Sequence, residues 1–240
     1  MLLEGKTALV TGASRNIGKA IAEGLIDAGA TVIVGYQSNV DAAKSVADSD
    51  PRGKSTTLQI DVGDRASIKA AVEAIKANHG KIDILVNNAG INRPEDFDKI
   101  SDSDWDDVLN INLKGPFMVS QELLPTLNDG GSIVNISSVS GQYGGPRTTH
   151  YAVSKAGLNT LTQNMAIFCA KRSIRVNTVS PGLIKSEMAA AAAGLGVEEK
   201  IMLGRMGETS EVADAVVFLA SDKASYISAQ TINVNGGLFF

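Results

Sequence analysis

The chain has 240 residues, 44% of them apolar and 20% charged, a globular composition that excludes a disordered chain. Twenty-two basic residues against 26 acidic ones give a formal net charge of −4, which offers no basic footprint for nucleic acid or an anionic membrane. No apolar run reaches bilayer-spanning length, and the single cysteine, Cys169, excludes an intramolecular disulfide and cysteine-cluster metal sites. Cys169 reads as a small buried apolar residue, and this cysteine usage fits a reducing, cytoplasmic setting. The opening Met1-Leu2-Leu3-Glu4-Gly5-Lys6 lacks the basic segment and long apolar core of a secretory signal. No histidine or carboxylate cluster points to a metal site.

In chain order, short β-branched runs alternate with helical patterns. Strands are predicted at residues 7–11, 31–34, 56–60 and 82–86, separated by helices at 17–28, 40–47 and 66–78. Two helical stretches follow near 102–113 and 116–127. Then come a strand at 132–136, a helix at 151–170, a strand at 174–179, a helix near 210–220 and a strand at 231–234. The strands are near-continuous apolar runs, the pattern of strands buried on both faces. The expected fold is α/β: a single doubly wound Rossmann-type domain spanning 1–240, with a central parallel sheet of about seven strands and helices on both faces. One irregular stretch, residues 185–207, combines an alanine run with Gly194 and Gly196. It reads either as a lid over a substrate site at the strand tips or as a plain connecting helix pair.

The first strand runs into Thr11-Gly12-Ala13-Ser14-Arg15-Asn16-Ile17-Gly18, which opens a helix. Small residues let the backbone approach a pyrophosphate, and the helix N-terminus supplies N–H donors and positive dipole. Further along come Asn87-Asn88-Ala89-Gly90, Asn112, Ser138, Tyr151 with Lys155, Pro181-Gly182 and Asn235-Gly236-Gly237. In that order and spacing they resemble, over essentially the whole chain, the short-chain dehydrogenase/reductase family. The likeness is greatest to its 3-oxoacyl-acyl-carrier-protein reductases and related carbonyl reductases. The chain departs from the family turn at Asn16, which stands where the middle glycine is usual. Asparagine tolerates positive φ, and dinucleotide binding is expected to survive.

The resemblance implies a nicotinamide cofactor held by Gly12, Ser14, Arg15, Asn16, Ile17, Gly18, Gln37, Ser38, Asp61, Val62, Asn88, Ala89, Gly90, Tyr151, Lys155, Pro181, Gly182, Ile184 and Ser186. The end of the second strand, Val34-Gly35-Tyr36-Gln37-Ser38-Asn39, carries no acid to hold a free ribose 2′-hydroxyl or repel a 2′-phosphate. Arg15 is placed to pair a phosphate, so NADP(H) is expected over NAD(H). Asp61 reads either as an acceptor from the adenine amino group or as a turn aspartate. Asn87 is expected to tie neighbouring strands together.

Tyr151 and Lys155, four apart on a helix, share one face. A phenol with a pKa of about 10 is a poor base at neutral pH, and a nearby ammonium favours its ionised form. Tyr151 is the expected proton carrier to a carbonyl oxygen, Ser138 holds that oxygen, and Lys155 also meets the nicotinamide ribose. Asn112 is expected to order a helix kink and a water leading to Lys155. His150, beside Tyr151, reads as structural. Candidate substrate contacts are Ser140, Gln142, Tyr143, Thr148, Thr149 and Met188.

The expected activity is interconversion of a ketone and a secondary alcohol, the leading substrate a 3-oxoacyl thioester. A free small or cyclic ketone is the alternative, and a non-catalytic cofactor sensor is a reading from another class. Lys171-Arg172 fits docking of an acidic acyl carrier protein, whereas Asp129 in the loop Leu127–Gly131 would repel it. The apolar Leu238-Phe239-Phe240 suits burial against another subunit or against its own domain. By resemblance a homotetramer is expected, with no nucleic-acid or membrane partner.

Overall fold

In the computed structural model, which describes residues 1–186 and 197–239, the apolar runs form seven strands. They are β1 (Thr7–Val10), β2 (Thr31–Tyr36), β3 (Thr56–Gln59), β4 (Ile82–Asn87), β5 (Leu127–Ile136), β6 (Arg175–Pro181) and β7 (Thr231–Val234). All pairings are parallel, in the order β3-β2-β1-β4-β5-β6-β7. The strand order reverses between β1 and β4, and at such a switch point the connections diverge to leave a crevice at the carboxyl ends.

Among the described residues eight α-helices connect the strands: α1 (Asn16–Asp27), α2 (Val40–Ala47), α3 (Arg65–His79), α4 (Asp102–Leu109), α5 (Gly115–Leu123), α6 (Ser140–Tyr143), α7 (Thr149–Cys169) and α8 (Thr209–Ala220). Helices α1, α2 and α8 bury Ile21, Leu25, Val46 and Val216 against Val10, Val32 and Val134 on one face of the sheet. Helices α3, α5 and α7 bury Ile68, Ile75, Val119 and Ala166 against Leu9, Ile33 and Ile133 on the other. Removing this apolar surface from water is the main term favouring the fold. Side-chain caps fix several helix starts: Asn39 on α2, Asp64 on α3, Ser101 on α4, and a Glu208/Glu211 capping box on α8.

Four segments differ from the sequence reading. The helix expected at 102–113 becomes a π turn over Asn110–Lys114, where the Gly115 N–H bonds the Asn110 carbonyl. Pro116 lacks the N–H that the Asn112 carbonyl would receive in an α-helix, so the turn widens. The helix expected to reach 127 ends in a 3₁₀ turn at Leu124–Thr126, beside Pro125. Strand β5 begins at Leu127, pairs there with Ile82, and resumes at Ser132 opposite Ile84, so residues 128–131 bulge. Helix α6, one turn long, has too few residues to show a period.

Within 185–207, residues 187–196, including Met188, lie outside the described residues. The flanks meet: Lys185 N–H donates to the Gly207 carbonyl at 2.9 Å, and Gly207 N–H to the Leu183 carbonyl at 2.9 Å. The segment thus departs from and returns to the tip of β6. Among the described residues no helix is long and apolar enough to cross a membrane.

Candidate active site

The tips of β1 and β4 are sewn together by side chains. Thr11 Oγ1 accepts the N–H groups of Asn88 (3.0 Å) and Ala89 (3.1 Å), while Asn88 Nδ2 donates to the Thr11 and Gly12 carbonyls, each at 3.0 Å. A Cβ at Gly18 would stand 2.3 Å from the Gly12 oxygen and 2.4 Å from Asn88 Nδ2, so only glycine lets α1 start this close. Asn16 has φ 48°, the left-handed conformation anticipated for an asparagine in a glycine position. The first turn of α1 has no side-chain cap, and Arg15, Asn16, Ile17 and Gly18 line the adjoining cleft. Its N–H groups and dipole suit a phosphate.

At the tip of β2, Gln37 Nε2 donates to Asp61 Oδ2 at 3.0 Å, and the Gln37 carbonyl accepts Gln59 Nε2 at 3.0 Å. Asp61 Oδ1 accepts the Gly63 N–H at 2.9 Å, so this carboxylate shapes a turn and also lines the cleft. Asn39 Oδ1 accepts the Ala42 N–H at 3.0 Å, capping α2.

The opposite end of the cleft is built from β5, α6 and α7. Beyond β5 the backbone stays in register with β6, Ser137 N–H donating to the Val179 carbonyl at 2.8 Å and Val139 N–H to the Pro181 carbonyl at 3.0 Å. A Cβ at Gly141 would lie 2.7 Å from Ala156 N, so its absence lets α6 press directly on α7 beside Lys155. The Ser138 hydroxyl accepts the Ser140 N–H at 3.2 Å and is hydrogen-bonded to the Tyr151 phenol. Lys155 is 4% exposed, donates to the Ile136 carbonyl at 2.8 Å, and stands 5.6 Å from the Tyr151 ring centre.

Burial pushes the Tyr151 phenol above its ordinary value, and the Ser138 hydrogen bond pulls it only part of the way back. Burial also pushes Lys155 down to about 8. Desolvation is the largest influence on the phenol and on the amine alike.

Asn112 does not line the cleft; it lies fully buried beneath it, in the π turn. Its Oδ1 accepts the Ile91 N–H at 2.8 Å, and its Nδ2 donates to the Ile91 carbonyl at 2.8 Å and to Ser154 Oγ at 3.2 Å. The anticipated irregularity in the helix is present, and the side chain uses it to clamp the loop after Gly90. Asn87 ties strands as expected, donating to Asn135 Oδ1 at 2.8 Å and Ser120 Oγ at 3.0 Å.

These residues enclose a cleft of about 660 Å³. Every residue anticipated for the cofactor lines it, as do Ser138, Tyr151, Lys155 and the substrate candidates Ser140, Tyr143 and Thr148. Gln142 does not. Its amide donates to Ser180 Oγ at 2.9 Å and to Asn233 Oδ1, binding α6 to β6 and β7. Thr149 starts α7 off the cleft wall, and buried His150 is also absent from it. Ile91, Asn92, Val139 and Leu183 line the cleft without having been singled out. Ile91, Val139 and Leu183 directly follow a motif residue and Asn92 lies one further on, which is the signal that could have found them.

A family model described as enoyl-(acyl carrier protein) reductase matches residues 12–239. The 3-oxoacyl-[acyl-carrier-protein] reductase FabG of Thermotoga maritima is 44% identical, with 99% of each chain covered. A Serratia marcescens short-chain dehydrogenase/reductase mutant superposes with a TM-score of 0.94 at 34% identity, covering 99% of each chain. A Burkholderia cenocepacia gluconate 5-dehydrogenase, in complex with NADP and tartrate, superposes with a TM-score of 0.92 at 33% identity, covering 98% of this chain and 96% of its own.

Proposed function

The chain belongs to the short-chain dehydrogenase/reductase family, and from that premise we propose that it is an NADP(H)-dependent reductase of 3-oxoacyl thioesters. Oxidoreductase chemistry comes with the family. The observation carrying the finer reading is the hydrogen-bonded Ser138–Tyr151 pair beside buried Lys155, in the same cleft as the glycine turn. The residues present fit a dinucleotide: a close-approach turn at Gly12–Gly18, an uncapped helix start for the pyrophosphate, and Arg15 with Gln37 and Ser38 where a 2′-phosphate would lie. Such a cofactor supplies the hydride.

The chain's own residues manage the oxygen and the proton. Ser138 Oγ–H orients the substrate carbonyl oxygen next to the Tyr151 phenol. Tyr151, kept protonated by burial, donates its proton to that oxygen as the carbon is reduced, yielding the secondary alcohol. Lys155 offsets the negative charge left on the phenolate. A hydroxyl pair aimed at one oxygen suits carbonyl reduction, in line with the name of the Thermotoga relative rather than with the enoyl description of the family model.

A substrate not tied to a carrier is favoured by one observation. Arg172, expected on a docking patch, pairs with Asp129 at 2.7 Å and donates to the Leu124 and Leu127 carbonyls. Its charge is already compensated. The relatives' names favour the carrier-bound thioester, and we place the enzyme in the cytoplasm, where that chemistry is supplied. We also propose a homotetramer. A second copy would cover the groove at Leu109, Leu113, Phe117 and Leu161, and Ile167 and Phe168, which are 76% and 71% exposed on α7.

The test is cofactor oxidation with carrier-bound and coenzyme A-bound 3-oxoacyl groups and with a ketone panel, each with NADPH and NADH. Tyr151→Phe is expected to cut turnover by about 10³ or more while leaving NADPH affinity within about twofold. Persistent turnover would remove Tyr151 as proton donor. Silence across the panel, with NADPH bound, would make the protein a sensor.

A further inference from the structure

We propose that Tyr143 and Phe239 form a stacked aromatic wall that sets the size of the apolar substituent accepted on the substrate carbonyl. The inference rests on the reading above that the reacting carbonyl lies at Ser138 and Tyr151.

The same cleft wall carries Ser140 and Thr148 together with Val139 and Leu183, and Tyr143 supplies its large ring. That ring is 50% exposed, leaving area for a ligand to cover. Its backbone is fixed from two sides. Gly141 seats α6 on α7, and Gln142 ties α6 to Ser180 and Asn233.

Behind Tyr143 stands Phe239, ring centres 5.2 Å apart and planes inclined by 24°. This offset stack is a favoured aromatic geometry. Phe239 reaches it because Asn235 bends the segment after β7. Asn235 Nδ2 donates to the Phe239 carbonyl at 2.7 Å, and its Oδ1 accepts the Gly237 N–H at 2.9 Å. The same Asn235 packs on Gly182 of the cleft, where a Cβ would come within 2.7 Å of the asparagine Cβ. One residue thus sets the cleft wall at Gly182 and holds the ring that backs Tyr143. An unbranched alkyl or aryl substituent fits against such a wall, excluding water from two apolar surfaces at once. A methyl group covers too little of the ring to gain. Tyr143 is a substrate-contact residue; Phe239 is a positioning residue acting through it.

The test compares wild type, Tyr143→Ala, Phe239→Ala and Phe239→Tyr. Protein loaded with NADP⁺ binds methyl ketones of rising alkyl length without turnover, and calorimetry reads each Kd; KM and kcat are measured with 3-oxoacyl thioesters from acetoacetyl upward. Phe239→Ala is expected to weaken the longer ligands about tenfold, in Kd and in KM. Acetoacetyl KM, kcat and NADPH affinity stay within about twofold, and Phe239→Tyr restores the longer ligands. Equal losses at all lengths, no loss at any, or no ketone binding would overturn the wall. Failure of the thioester reading alone would show as wild type inactive on thioesters yet with length-dependent ketone affinities that Phe239→Ala flattens.

Discussion

Asn112→Ala separates a clamp from a proton relay. The wild-type amide is fully buried and satisfies both backbone groups of Ile91, at 2.8 Å each, and Ser154 Oγ at 3.2 Å. Truncation strands a donor and an acceptor in the interior, at about 1–3 kcal/mol apiece, so roughly 2–6 kcal/mol is lost. For a chain of this length each kcal/mol moves the midpoint by about 2–4 °C, giving a fall of roughly 4–24 °C by calorimetry. The Ile91 clamp also fixes Gly90, which packs against Asn112 and near Lys155 Nζ, so NADPH affinity is expected to weaken in parallel. Asn112→Asp provides the control. Its carboxylate still accepts from the Ile91 N–H but faces the Ile91 carbonyl, so the destabilisation persists at neutral pH and eases on acidification as the acid regains a donor. An unchanged melting midpoint together with collapsed turnover would refute the clamp and leave only a role in proton delivery.

Two further outcomes follow from buried charges. Burial depresses Lys155 to about 8, so its cationic form is lost as pH rises through that value; kcat/KM for reduction is expected to fall above about pH 8, and a flat profile to pH 10 would show that the ammonium is not needed. Burial alone would raise the Asp50 carboxyl, but hydrogen bonds from Arg52 and Ser55 hold it well below the usual carboxylate range. Its contribution is therefore present above the unfolded value of about 4 and lost as pH falls below it. Arg52→Ala leaves that carboxylate buried and unpaired, and is expected to cost about 3–5 kcal/mol at pH 7 and less near pH 4; equal melting midpoints at pH 7 would remove the pair from the stability account.

The sheet was legible because strands buried on both faces cannot hide their composition: Ala8-Leu9-Val10 and Val32-Ile33-Val34 carry no polar residue to alternate with. The residues that line the cleft were legible for a topological reason. Apart from Tyr151 and Lys155 on α7, those singled out follow a strand's carboxyl end, and parallel strands bring those ends to one edge. Side-chain direction on a single turn was not legible. Gln142 and Tyr143 are neighbours on α6, yet one ties down the sheet and the other faces the cleft. The partners that decide this, Ser180 and Asn233, lie 38 and 91 residues away. Burial was not legible either: spacing reveals the ammonium four residues on, but not the desolvation that raises the phenol and lowers the amine together.

Ser138 and Tyr151 come from different elements, so their mutual geometry is only as good as the joint between β5 and α7. A buried polar chain makes that joint. Asn87 donates to Asn135, Asn135 Nδ2 donates to Thr162 Oγ1 at 2.8 Å, and Thr178 Oγ1 lies 2.7 Å from the same hydroxyl. It runs from β4 through β5 to α7 and on to β6. Apolar packing would hold these elements together but would tolerate small slides along the helix axis; directional bonds with satisfied partners do not. The Ser137 hydroxyl donating to the Lys155 carbonyl at 3.1 Å adds a second such bond, one residue from Ser138 and one turn from Tyr151. Polar groups in the core thus hold one hydroxyl in bonding register with the other.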